Sequence, residues 1–285
     1  MFARTLKLTL LAFALLMTAV LPMRPAAHAQ DDEPTQPRPL VVLMEFDPWK
    51  MVIGSDVPTF VLYDDGTIIY RNEYIADDPA ATPEAYETGD TPYIGLLTLK
   101  LDEEELAAFL ESLAVGDDFY ALEPSYDGPM ITDQPNIYLA VWTDEGQPKS
   151  VNVYGDLRND VEDARSMAPD AFLSLYDALV EFVGEAHEGA VAWLPDQLEL
   201  MVWPYESASS GAAWPDFLPT LDDPTTIDRG GLWSIYVDST RYEEVMEFLN
   251  EAAGTVEIDG EFYSVMIRYP FPGADIWEAE MYGPA

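Results

Sequence analysis

Of 285 residues, 53 are acidic, 13 are Lys or Arg, two are His and none is Cys, for a formal charge of −40. Such a surface is a poor partner for nucleic acid or anionic membrane. Without a thiol there is no disulfide, no cysteine nucleophile and no Cys-ligated metal, and two histidines in one chain cannot build a histidine-rich zinc site.

The chain opens with Arg4 and Lys7, then an apolar run from Leu8 to Leu21. That run is short for a membrane span and suits the apolar core of an export signal. Ala27-His28-Ala29 has the small-x-small pattern of a cleavage site. The expectation is a signal peptide over 1–29, a mature start at Gln30 and a secreted or periplasmic, extracytoplasmic location. No Cys follows for lipid attachment, and no later apolar run is long enough to anchor the chain in a membrane after cleavage. Cleavage removes Arg4, Lys7 and Arg24 and no acidic residue, so the formal charge moves from −40 to −43. Residues 30–39, QDDEPTQPRP, read as a flexible linker.

Residues 40–190 read as an α+β domain. Leu40–Phe46 is a strand. Pro58–Asn72, PTFVLYDDGTIIYRN, is a hairpin turning at Asp65-Gly66, with a loop of two residues or three. Residues 72–92 form an acidic loop, and Tyr93–Leu101 is a further strand. The stretch DEEELAAFLESL is a helix capped by Asp102, with Glu105 completing a capping box. Leu106, Phe109, Leu110 and Leu113 make its apolar stripe. The three glutamates of its first turn suit the positive end of the helix dipole, a structural reason for "DEEE". NIYLAVWT and KSVNVY flank DEGQP as a second hairpin. PDAFLSLYDALVEFV is a second amphipathic helix with Phe172, Leu175, Tyr176, Leu179 and Val183 inward. The order strand-strand-strand-strand-helix-strand-strand-helix predicts an antiparallel sheet with helices packed on one face.

Residues 191–285 read as a second, smaller α+β unit. LPDQLELMVWPY and GLWSIYVD are strands on either side of an aromatic, proline-rich crossing. Thr240 and Glu243 suggest a capping box for a helix whose Tyr242, Val245, Leu249 and Ala252 share one side, with Gly254 ending it. A hairpin at Asp259-Gly260 follows.

PTFVLYDDGTIIY, LKLDEEELAAFLESL, TDQPNIYLAV, KSVNVYG and the following helix together resemble a bacterial family of exported proteins with no assigned function. The likeness spans roughly residues 40–190. It rests on an F-x-L-Y-x-D-G hairpin, a helix and a T-D-x-P loop, with Asn136 standing where a threonine is usual. The W-P-x-x-L-P segment and the closing strand also look similar to longer members. The resemblance implies an α+β fold and supplies no catalytic residue.

Four chemistries compete for a site. Asp156, Asn159, Asp160 and Asp163 put hard oxygens close together, as calcium needs, but without the EF-hand spacing or glycine. A carboxylate-pair hydrolase needs two acids at a set separation, and nothing selects two among 53. Trp193, Trp203, Trp214 and Trp233 crowd the second unit as sugar-stacking platforms or as core. Arg71, Arg229 and Arg268 are scarce cations in an acidic chain, so they are either ion-paired or anion-binding. His187, the imidazole that remains after cleavage, reads as a surface residue at a helix end. No G-x-S-x-G elbow accompanies it.

No catalytic, cofactor-binding or metal residue is therefore assigned, and no cofactor is expected. The reading is an exported, non-catalytic binding or interaction protein with a protein or glycan partner. The alternatives are a carboxylate-dependent extracellular hydrolase or a calcium-binding structural protein. N-terminal sequencing of the exported product is expected to begin at Gln30; a product beginning at Met1 would refute the cleavage site.

Overall fold

β1 (Pro39–Phe46) is apolar on both faces: Val41 and Leu43 turn one way, Val42 and Met44 the other, and all four are buried. Side chains alternate across a strand, so a run without polar interruption belongs at the centre of a sheet covered on both sides. The computed structural model, which describes residues 36–52, 54–73, 91–143 and 148–282, places it there. The expected signal peptide, most of the linker and most of the 72–92 loop lie outside the described residues.

Around β1 the first sheet gathers β2 (Phe60–Tyr63), β3 (Thr67–Arg71), β4 (Leu96–Lys100), β5 (Ser125–Tyr126), β6 (Asn136–Trp142), β7 (Pro148–Tyr154) and β8 (Val191–Ala192). Their order is β5-β7-β6-β1-β2-β3-β4-β8. The second sheet comprises β9 (Gln197–Pro204), β10 (Ala212–Ala213), β11 (Ile227–Asp228), β12 (Trp233–Asp238), β13 (Thr255–Ile258) and β14 (Glu261–Arg268). Its order is β10-β13-β14-β9-β12-β11. With 24% helix and 32% strand, the fold is mixed α+β.

The sheets are not purely antiparallel, as the sequence suggested. β5 runs parallel to β7, and β10 parallel to β13. A hairpin forces antiparallel pairing, whereas a parallel neighbour needs an intervening crossover. Here β6 separates β5 from its partner along the chain. Two-residue edge strands carry no alternation, so no pattern announced them.

Two helices cover one face of the first sheet. α1 (Glu103–Ser112) begins at Asp102 with both halves of the capping box formed. Its Leu106 and Phe109 pack on the core, but Leu110 is exposed, because the stripe is narrower than its spacing implied. After the single turns α2 (Asp117–Tyr120) and α3 (Ala164–Met167) comes α4 (Asp170–Val183), which buries all five of its expected inward residues. Phe60, Phe109 and Phe182 meet at ring separations of 5.3–6.1 Å where the two helices join the sheet.

The opposite face is covered by the end of the chain. Phe271 and Trp277 are buried against Val42, Met44, Val61 and Ile69, and Tyr63 donates its hydroxyl to Pro272 O at 3.0 Å. α6 (Ala274–Tyr282), which carries Trp277, also brings Glu278 to Arg268 of the second sheet at 2.6 Å. α5 (Tyr242–Ala252) covers one face of that sheet, with Val245, Phe248 and Ala252 buried. Its start differs from the expected capping box. A short 3-10 turn, Ser239–Arg241, precedes the helix, and the Thr240 hydroxyl donates to Asp238 Oδ1 at 2.6 Å instead of capping. Residues 36–285 form one compact unit, and Val191–Ala192, at the expected division, pair with β4.

The β2–β3 loop is Asp64-Asp65-Gly66, a three-residue turn closed by Gly66 N donating to Tyr63 O at 3.0 Å. Gly66 takes φ +83°, and a Cβ there would sit 2.4 Å from Leu101 O. Gly66→Val is therefore expected to lose roughly 2 kcal/mol or more from backbone strain and the clash. Thermal unfolding measures it; a variant of unchanged Tm would refute this account of the turn.

Candidate functional site

Glu45 breaks the apolar pattern of β1 on the helix-covered face, and its side chain is only 10% exposed. A carboxylate so placed must be paired or pay heavily in lost hydration. Five donors reach it. Arg158 grips it bidentately, Nε to Oε1 at 2.7 Å and Nη2 to Oε2 at 2.6 Å. Tyr176 of α4 donates its hydroxyl to Oε1 at 2.9 Å. Thr59 donates to Oε2 at 2.9 Å and in turn accepts from Arg71 Nη2 at 3.2 Å. Arg71 also reaches Oε2 directly at 3.0 Å. Glu73 closes the network, 3.3 Å from Arg71 Nη2 and hydrogen-bonded to Arg158 Nη1.

Two glutamates thus match two arginines. Burial pushes the Glu45 carboxyl up, but the Arg158 hydrogen bonds and charge, with help from Thr59 and Arg71, hold it below the ordinary range. Burial, reinforced by the neighbouring Glu45 charge, lifts the Tyr176 phenol well above its usual value, so it stays a donor. Burial opposes the Arg158 charge, and the carboxylates of Glu45 and Glu73 more than offset it.

Over this network lies an open groove of about 410 Å³. Its lining includes Glu45, Arg71, Arg158 and Tyr176, with Asp47 and Trp49 from the β1–β2 connection. Asp133 and Gln134 enter from the loop before β6, and Asp156, Asn159 and Val161 from the loop after β7. Trp49 stands 73% exposed. The connection bearing it is tied down behind: Asp47 N donates to the buried Asp56 at 3.2 Å, and Ser55 donates to Val52 O at 2.7 Å. Beside Val161 the backbone is strained: Asp160, Glu162 and Asp163, which do not themselves line the groove, all take φ between +48° and +60°.

The residues singled out in the sequence fare differently. Asp156 accepts Asn159 N and Nδ2 at 2.9 and 2.7 Å, and Asp160 accepts Arg165 N at 2.9 Å, so these oxygens serve the turn. Among the described residues no group of three acids or histidines is close enough to hold a metal ion. Arg71, Arg229 and Arg268 are all ion-paired; Arg268 grips the fully buried Glu199 at 2.6 Å, with Arg229 3.8 Å from the same carboxylate. Trp193 packs at a tilt on Phe271, ring centroids 4.9 Å apart, Trp214 donates to Pro219 O at 3.1 Å, and Trp233 meets Tyr263 edge-on. Trp203 is half-exposed.

His187 does not point outward as expected. Its ring stacks 3.9 Å from Phe182, and Nε2 lies 2.7 Å from Phe182 O. A carbonyl only accepts, so Nε2 carries a proton and the imidazole caps the last turn of α4. Arg158 and Trp49 were missed in the sequence. An acid ending an apolar strand was the available signal for Glu45, but its partners lie up to 131 residues away.

Comparison of the chain with protein-family models, with curated proteins and with solved structures finds no match.

Glu45→Gln is expected to cost about 2 kcal/mol, below the usual penalty for breaking a buried pair because Arg71 is 41% exposed. Folding holds the Glu45 pKa below its unfolded value near 4.5, so its contribution is complete above that value and fades as pH falls toward the folded one. Urea unfolding of both proteins should show the gap between them shrinking below about pH 4.5. A gap constant down to about pH 3 would refute the assignment.

Proposed function

We propose that this is an exported, extracytoplasmic, non-catalytic binding protein whose ligand site is the groove above Glu45. Export rests on the Leu8–Leu21 run and Ala27-His28-Ala29. Membership of the exported family of unassigned function rests on the hairpin and loop motifs already quoted. On the same footing we read residues 40–190 as an antiparallel-based sheet with helices on one face, joined to a smaller α+β unit of residues 191–285. Among the described residues no helix is long and apolar enough to cross a membrane.

The observation that carries the binding reading is the saturation of Glu45. A glycosidase-type acid must hold its proton near neutral pH, which needs a carboxyl raised above its ordinary range. Glu45 is driven the other way, and both of its oxygens are filled by donors. A neutral, cross-linked floor under open polar walls keeps its shape without doing proton chemistry. The groove's volume falls within the range of small-molecule sites, about 300–1,000 Å³. Val161 lines the groove between neighbours in left-handed backbone conformations, Asp160 and Glu162, and such conformations concentrate at functional surfaces.

The test is capture from the native supernatant and envelope by the exported protein, in parallel with Trp49→Ala, followed by mass spectrometry of small molecules and peptides. A species retained by wild type and lost by the variant is expected. Equal recovery by both would move the site elsewhere. Turnover of ester, peptide or glycoside reporters that Glu45→Gln removes would make the protein an enzyme.

A further inference from the structure

Resting on the groove as the binding site, the charge left over after its ion pairs are counted points to the class of ligand. Arg71 and Arg158 are matched within the network by Glu45 and Glu73. An anion entering the groove would find no unmatched cation among the lining residues. Three lining carboxylates remain, and among the described residues each accepts side-chain hydrogen bonds from uncharged groups. Asp47 accepts Trp49 N at 2.9 Å, Asp133 accepts the Thr132 hydroxyl at 3.2 Å, and Asp156 accepts Asn159. Lys50, on the same connection as Trp49, acts on the charge of the buried Asp56 and does not line the groove.

A metal ion needs several oxygens within about 2.6 Å of one point, and the described acids form no such group. Carboxylates distributed around a groove of about 410 Å³ suit a charge spread over a larger body. The exposed Trp49 adds the other half of the recognition, because an indole face attracts an organic cation through its quadrupole. Asn159 and Gln134 supply neutral hydrogen-bonding groups beside them.

We propose that the groove receives an organic cation, a primary ammonium or guanidinium group, stacked on Trp49 and surrounded by Asp47, Asp133 and Asp156. The same chemistry is carried by a free polyamine and by a Lys or Arg side chain of a peptide. The excess of 53 acidic over 13 basic side chains draws either toward the protein, while the groove selects where it stops.

Titration calorimetry of the exported protein tests this with four probes: spermidine, an amidated arginine tripeptide, a neutral trisaccharide and a glutamate tripeptide. Trp49→Ala, Asp133→Asn and the distant exposed Glu247→Gln are run alongside. Asn at 133 keeps the φ of +62° accessible, so that variant retains its turn. Saturable binding of a cationic probe is expected, weakened about fivefold or more by Trp49→Ala and by Asp133→Asn, and unchanged in Glu247→Gln. Which cationic probe binds more tightly identifies the source, polyamine or peptide. Equal weakening by all three variants would reduce the effect to general attraction and overturn the proposal. Saturable binding of the trisaccharide or the glutamate peptide that Trp49→Ala abolishes would keep the groove as a site and overturn its cationic ligand. Binding of no probe would overturn the cation class, while a groove-dependent species in the capture experiment would still stand for the site itself.

Discussion

The first sheet is organised around one carboxylate taken out of water. Glu45 sits at the end of a strand whose preceding residues are all apolar, on the face that α4 covers. An isolated charge there would be untenable, so the surrounding chain has to bring donors to it. It does so from Thr59 before β2, Arg71 at the end of β3, Arg158 after β7 and Tyr176 on α4. Those four points define the relative positions of the central strands, the loop after β7 and the covering helix. Such networks add less to net stability than their Coulomb energy suggests, because desolvation opposes it. What the network does supply is a single arrangement of its parts: a slip of one residue in β1 would turn Glu45 to the opposite face and leave Glu73 as the one carboxylate of the network facing two arginines.

A second buried pair does the same for the rest of the chain. Glu199 of β9 is fully buried, and Arg268 of β14 satisfies one of its oxygens while reaching Glu278 of α6. α6 is therefore held to the second sheet by charge, and through Trp277 to the first sheet by apolar packing. This is why residues 36–285 form one compact unit although their two sheets share no strand. The face of the first sheet that a hydrophobic strand pattern leaves over is closed by Phe271 and Trp277.

The groove follows from the first network. Its floor is polar yet charge-neutral, and its rim is acidic and aromatic. Asp47, Asp133 and Asp156 line it beside the exposed Trp49, over a floor whose charges cancel. The arginines that looked in the sequence like the scarce and informative residues are ion-paired within the protein.

Local physics made much of this legible in advance. The β1 run, both arms of the Asp-Gly hairpins, the Asp102 capping box and the five inward residues of α4 depend on neighbours within one turn or one strand. Alternation, helical period and capping are interactions of that range, so sequence order carries them. The stacking of His187 on Phe182 also spans only five residues, but a flanking pair of glutamates disguised it as a surface position. The two-residue parallel strands, the closure of the first sheet by residues near 277 and the Glu45 network join positions separated by tens to more than a hundred residues. Nothing in composition or spacing ranks one arginine of 13 basic residues, or one acid of 53, as the partner of another. Only the folded chain decides which charges meet, because pairing energy depends on distance and burial, and both are properties of the tertiary structure.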